Sequence, residues 1–232
     1  MMDPAKYFAA MKKRFGTADL TELYHTNEFS LAVAVALSAQ ATDKHVNTVT
    51  PKLFAVADTP EKMLALGEAG LKEVIKSISF FNNKARNIIK MAGILANHPG
   101  PSGHPSTGVE LWKFPEKYHN RDELMTLPGI GQKTANVVTS ILWGAPNIGV
   151  DTHVFRLAHR FGWADESDKT PEKVERKLLA IIPKKLLGVA NHLMVMHGRY
   201  ICKALRPDCE NCPVKKFCDW RKLEARVGIE PA

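Results

Sequence analysis

The chain has 232 residues, 45% of them apolar, with a formal charge of +8 and a pI near 9.3. That is enough for one large or two small hydrophobic cores, and no apolar run approaches the roughly 18 residues of a membrane span. The start, MMDPAKYFAAMKKRFG, carries charges where a secretory leader needs apolar residues, and the modest basic excess suits a polyanionic partner without proving one.

Helical spacing and Ala/Leu-rich content predict helices over residues 5–15, 29–40, 43–57, 61–78, 82–98, 132–144, 151–163, 171–183 and 184–201. Residues 29–37, FSLAVAVAL, alternate large and small side chains and could form a strand. The alanines and the helical company favour a buried helix. Residues 97–120 are rich in Pro and Gly and read as a long loop. Within it, Trp112 and Phe114 are expected to pack the loop down rather than touch a partner. No β-hairpin signal and no internal repeat is present.

Residues 127–139, LPGIGQKTANVVT, carry the densest local signal. Pro128 presets one turn dihedral, while Gly129 and Gly131 allow backbone shapes that other residues resist. Exposed amides at the start of the following helix suit an oxyanion, and bare glycine lets a phosphate come close. Two phosphate loops compete for this run. A dinucleotide fingerprint needs GxGxxG after a strand, and a Walker loop needs GxxxxGK[ST]. Here Thr134 holds the third glycine position and the helical RDELMTL precedes it, so both fail. Helix, GxG hairpin, helix is instead the helix-hairpin-helix pattern, which grips a nucleic-acid backbone without reading bases. Lys133 lies at the positive end of the helix dipole, where a cation is disfavoured, and this points to a role beyond a solvated surface lysine. Asp151 opens a later helical run and is a good N-cap for THVFRLAHRF.

The four cysteines, Cys202, Cys209, Cys212 and Cys218, fall within seventeen residues with the spacing C-x6-C-x2-C-x5-C. This argues against a disulfide framework and for one metal site in a reducing compartment. Zinc ribbons usually show two CxxC or HxxxH pairs. The single CxxC, beside Pro213, suits a [4Fe–4S] cluster better, with zinc or unligated thiols as the alternatives. His192 and His197 read as core residues. Residues 199–226 carry eight Lys or Arg against four acids, concentrating positive charge around the cysteines.

Taken together, LSAQATD (37–43), LPGIGQKTANVV (127–138), VDTHVFR (150–156), HGRYIC (197–202) and the cysteine tail resemble the endonuclease III group of DNA glycosylases, from about residue 4 to residue 220. The resemblance implies an all-α fold of two helical domains with DNA in the cleft between them. One is a six-helix domain over 22–146 that carries the hairpin. The other combines 1–21 with 147–232 and holds a C-terminal [4Fe–4S] loop. The implied activity is base excision repair: removal of oxidised pyrimidines from double-stranded DNA and β-elimination at abasic sites. A monomer in the bacterial cytoplasm, at the nucleoid and away from membranes, is expected.

The resemblance also implies roles for individual residues. Lys133 is the nucleophile that attacks C1′ of the deoxyribose, and Asp151 stabilises the cationic sugar or takes a proton from the lysine. A lysine ordinarily titrates near ~10.4, so the helix N-terminus, basic neighbours and partial desolvation are expected to favour its neutral form. Gln40 and Phe80 fill the space left by an extruded nucleotide, although Phe80 reads equally well as a core residue. Lys203 and Arg206 contact the DNA backbone, as do Gly129 and Gly131, while Ser38, Asp43 and His153 line the pocket. Met125 stands where an acidic residue is expected, and the 97–120 loop is longer than usual. Two alternatives remain: an adenine mismatch glycosylase, which normally lacks this lysine and carries a further C-terminal domain, and a non-catalytic DNA-binding or iron–sulfur scaffold, which has no need of Lys133 or Asp151.

Overall fold

A computed structural model describes residues 1–97, 111–218 and 220. Among them are ten α-helices and no strand: α1 Pro4–Phe15, α2 Glu28–Leu37, α3 Asp43–Val56, α4 Pro60–Ile75, α5 Phe81–Ala96, α6 Arg121–Leu124, α7 Gln132–Trp143, α8 Thr152–Arg160, α9 Pro171–Ile181 and α10 Lys184–Tyr200. No helix of the described residues is long and apolar enough to cross a membrane. The chain forms two compact units. One is Glu22–Trp143, and the other joins Met1–Thr21 to the chain from Gly144 onward.

In the first of these units α2 is the central element. Every residue from Phe29 to Leu37 is buried, so a period-two pattern and a helical one were indistinguishable in a segment apolar on all sides. Local chemistry decides for helix. Asn27 accepts from the Ser30 N–H, and the Ser30 hydroxyl accepts from the Asn27 N–H, a capping box that satisfies two orphan donors. Thr42 and Thr59 cap α3 and α4, and Pro60 supplies the preset φ of a first helical residue. The single helix expected over 61–78 is broken at Gly67, whose φ of 71° and ψ of 169° lie outside helical space. Glycine permits that break at no steric cost.

Part of the expected 97–120 loop, residues 98–110, lies outside the described residues. The rest is not a free loop. Phe114 is buried, Trp112 packs against the same core, and their rings meet edge-on at 5.1 Å. The Phe114 N–H donates to Glu28 Oε2 at 2.7 Å, which fastens the segment to the start of α2. A short 3₁₀ turn, Glu116–Tyr118, then leads into α6. The expected packing role of both aromatics is met, and residues 111–120 form the expected irregular connection, with one 3₁₀ turn, held down by ring burial.

In the other unit Asp3 caps α1, and Tyr7, Phe8 and Met11 bury that helix in a core shared with α8, α9 and α10. Trp163 Nε1 donates to Met2 O at 2.7 Å, tying the first residues to the turn after α8. The closest packing is between α8 and α10. A Cβ on Gly198 would lie 2.7 Å from the Cβ of His153, so the glycine of HGRY is what lets these helices touch.

Candidate active site and metal centre

The hairpin is built from the turn Leu127–Ile130, closed by the Ile130 N–H to Leu127 O at 3.1 Å. Pro128 and Gly129 occupy its central positions, and Gly129 has φ +86°, the conformation that a Pro–Gly turn of type II asks of its second central residue. Its missing Cβ matters twice, because a Cβ there would stand 3.0 Å from Asn87 Cβ on α5. Leu127 and Ile130 point inward and are buried, which anchors the turn and leaves Gly129 and Gly131 exposed.

Gly131 corrects an expectation. Its φ is not positive, and nothing lies within 4 Å of where its Cβ would be. Neither conformation nor packing within the chain requires glycine here. The space in front of it is open, which leaves room for an approaching group at the amides that begin α7. Lys133 sits in that first helical turn and is exposed. The partial desolvation expected of it is therefore not supplied by its own unit.

Two exposed turns lie in the same unit. Gln40, in the connection between α2 and α3, has φ 57°, and Phe80, immediately before α5, has φ 59°. Both are left-handed conformations that non-glycine residues rarely adopt, and such strain clusters at functional sites. Phe80 is 63% exposed, so the core reading of this ring fails. Ser38 donates its hydroxyl to Val35 O at 2.8 Å and is half-buried, while Asp43 opens α3. Met125 is exposed at the end of α6, and neighbouring Asp122 is paired with Arg121 at 3.1 Å.

In the other unit Asp151 caps α8. Both the His153 and Val154 amides donate to the same oxygen, Oδ1, at 2.9 and 2.8 Å. Oδ2 forms no hydrogen bond among the described residues, so the cap leaves half the carboxylate unused. His153 Nδ1 lies 3.2 Å from an Arg156 Nη2, which holds the ring against α10.

All four cysteines line one pocket, together with Phe161, His197, Ile201, Pro207 and Trp220. No group of three or more His, Cys, Asp or Glu among the described residues is arranged to hold a single metal ion. Burial pushes the Cys212 thiol up to about 11 and raises Cys202 as well, with the Arg160 hydrogen bond opposing the latter. His197 is moved the other way, to about 4, first by burial and then by the positive charges of Arg156 and Arg160. It is neutral at physiological pH, with Nδ1 3.1 Å from the Tyr7 hydroxyl and Nε2 3.5 Å from Cys212 Sγ.

Two residues to which the sequence reading gives no role organise this centre. Arg156 donates to Gly198 O at 2.8 Å and to Cys202 O at 3.0 Å. Arg160 donates to Cys202 Sγ at 3.1 Å, to Lys203 O at 2.8 Å and to Ala204 O at 3.1 Å, and its guanidinium lies 3.9 Å from the Trp220 ring centroid. Their signal was the four-residue spacing on one helix face, which reads equally well as two solvated arginines. Lys203 and Arg206 are exposed, with no side-chain partner among the described residues, whereas Lys215 is engaged with Glu210 O at 2.8 Å.

The model of the HhH-GPD superfamily of base excision DNA repair proteins matches residues 33–184, a span that includes the Gln40 and Phe80 turns, the hairpin and Asp151. Over 200 residues the chain is 52% identical to the endonuclease III of Rickettsia conorii (strain ATCC VR-613 / Malish 7), covering 86% of this chain and 88% of that protein. The chain belongs to the endonuclease III family. It is also 43% identical to the endonuclease III of Escherichia coli (strain K12) over 203 residues, 87% of this chain and 88% of that protein. Among solved structures it is similar to a trapped endonuclease III–DNA covalent intermediate, with a TM-score of 0.78 and 40% identity over 97% of this chain and all of that one. Membership of the endonuclease III family makes the protein an enzyme of base excision repair, a DNA glycosylase and AP lyase. It leaves the mismatch-glycosylase and non-catalytic readings without support.

Proposed function

We propose that this chain releases oxidised pyrimidines from double-stranded DNA through a covalent Lys133 intermediate and then cleaves the strand at the abasic sugar. The observation that carries the reading is Lys133 itself, an exposed amine in the first turn of α7 beside the open glycine hairpin. The likeness to an endonuclease III trapped covalently on DNA supports a covalent route.

The Lys133 lone pair forms a bond to C1′ as the bond from C1′ to the base breaks, and the base leaves with a proton. The proton lost from the attached amine passes to O4′ as the C1′–O4′ bond breaks, which opens the sugar ring and leaves an iminium. That cation acidifies C2′–H, and removal of this proton expels the 3′ phosphate by β-elimination; water then hydrolyses the iminium and frees the lysine. The Asp151 carboxylate, held by its cap with Oδ2 open, stabilises the cationic sugar or receives the lysine proton. Gln40 and Phe80 take the space of the extruded nucleotide, and the hairpin amides with Gly129 and Gly131 hold a phosphate. Ser38, Asp43 and His153 are assigned to the pocket. The test is borohydride trapping on a duplex with a single oxidised pyrimidine. A covalent protein–DNA adduct is expected, and failure to form one would overturn the reading.

The cysteine centre fits a [4Fe–4S] cluster. All four cysteines line one pocket, and Arg160 Nη1 and His197 Nε2 stand 3.1 and 3.5 Å from the sulfurs of Cys202 and Cys212, as groups that can hydrogen-bond thiolate sulfur. Such a cavity does not require the tight grouping that one ion needs. When bound, the cluster cross-links a segment whose own apolar content is small. Purified protein is expected to be yellow-brown with about four irons per chain and no stoichiometric zinc. Cys→Ser at position 202, 209, 212 or 218 should lower the soluble yield. A colourless, active, zinc-loaded protein would show that the centre is something else.

Lys203 and Arg206 lie in the loop between Cys202 and Cys209, and Arg206 has φ 50°. Arg160 fixes the carbonyls of Lys203 and Ala204, so the loop presents its charges to phosphate with little left to order. Replacing both by Ala should weaken binding to damaged and undamaged duplexes alike and flatten log K against log salt by up to ~0.9 per lost phosphate contact. An unchanged slope over a salt series would place the DNA-holding charge elsewhere.

A further inference from the structure

Lys84 belongs to none of the motifs that stand out in the sequence, yet it stands between two exposed turns. Its side chain leaves the first turn of α5 and donates to Leu37 O at 2.8 Å and Ala39 O at 2.6 Å. Leu37 ends α2, where the carbonyls have run out of helical partners, and Ala39 immediately precedes Gln40. One ammonium therefore closes the end of α2, the end at which a cation suits the helix dipole, and braces the turn that carries Gln40. The backbone of the same residue is tied the other way. The Lys84 N–H donates to Phe80 O at 3.1 Å, the first helical hydrogen bond of α5, so the side chain starts one turn from the strained residue Phe80.

Gln40 and Phe80 are two of only three non-glycine residues with positive φ among the described residues, and both are exposed. Lys84 is thus bonded to the two strained turns, one through its side chain and one through its backbone. The amine is partly withdrawn from water to do so, and burial lowers its pKa. A lysine present only for surface charge would keep its amine in solvent.

We propose that Lys84 is a positioning residue for nucleotide extrusion, fixing the spacing between the Gln40 and Phe80 turns so that both reach the duplex already ordered. This rests on the reading of Gln40 and Phe80 as the residues that fill the vacated space. Two fillers serve one extruded nucleotide only at a defined separation, and a brace that exists before binding spares the cost of ordering the turns on the DNA.

The test compares a substrate that must be extruded with one that need not be. Lys84→Met keeps the aliphatic stem and removes the donors, and Lys84→Arg restores donors. In single-turnover assays on a duplex with one oxidised pyrimidine, base release should slow at least ~10-fold in Lys84→Met and recover to within ~3-fold of the unaltered protein in Lys84→Arg. On an abasic site in an unpaired bulge, already outside the stack, strand cleavage by both variants should stay within about twofold of the unaltered protein. A fluorescent base analogue beside the lesion should brighten more slowly with Lys84→Met, since it reports unstacking directly. Equal loss on both substrates would overturn the proposal, as would a normal rate on the paired duplex. A flattened salt dependence of binding would also overturn it, by making Lys84 a phosphate contact. Should Lys84→Met fail to fold by urea titration, Lys84→Gln, which keeps one donor group, carries the same comparison. The double variant Gln40→Ala/Phe80→Ala separates the two readings. If it extrudes normally, the gap-filling assignment fails and takes Lys84 with it; if it is slow while Lys84→Met is normal, only the Lys84 proposal fails.

Discussion

Lys133→Ala is expected to abolish both base release and borohydride cross-linking, a loss of ~10⁴-fold or more, the scale seen when a nucleophile is removed from an enzyme that depends on it. Folding is not the reason, because the side chain is exposed in the first turn of a helix and alanine is the better helix former. DNA binding should survive within a few-fold, since the hairpin backbone, with Leu127 and Ile130 buried beneath it, is untouched. Lys133→Gln should behave alike, keeping length and polarity but not the amine. The measurements are single-turnover base release, adduct yield and affinity for an undamaged duplex. An adduct of normal yield in either variant would move the Schiff base to another amine.

The same residue shows what a sequence can and cannot reveal. Pro128, Gly129 and the helix after them were legible because their effects are local: a preset dihedral, a positive φ, a helix start. Asp151 was legible as a cap for the same reason. That both capping amides use one oxygen is a matter of side-chain geometry that no spacing encodes. Gly129 and Gly131 are alike in sequence, and the structure separates them, one glycine demanded by conformation and packing and the other facing open space.

Nonlocal ties were the least legible. Whether Phe80 belonged to the core depended on how α5 begins, and the chain turns left-handed there and leaves the ring outside. Nothing near Lys84 in sequence announces that its amine reaches back more than forty residues to Leu37 and Ala39. Arg156 and Arg160 are similar cases, since a one-turn spacing on α8 says nothing of the cysteine loop that folds over it. The break at Gly67 was hidden for a different reason: glycine inside a helical pattern is tolerated often enough that it does not mark a stop.

Asp151 offers the second large effect, and here two roles must be told apart. Asp151→Asn should reduce turnover by ~10²-fold or more, about 2.7 kcal/mol of barrier, the usual scale for an electrostatic or acid–base group. Stability should hardly change, because asparagine caps helices about as well as aspartate and its side-chain oxygen can replace Oδ1. Asp151→Ala removes the cap as well, at a cost of about 1 kcal/mol. That loss falls on the start of α8, the helix whose Arg156 and Arg160 hold the cysteine loop, so this variant should also lose iron more readily to a chelator. Measuring rate, unfolding midpoint and iron retention for both variants resolves the roles. If Asp151→Asn turns over at a near-normal rate while Asp151→Ala is unstable and slow, the carboxylate is a cap alone and the sugar cation must be met by another acid.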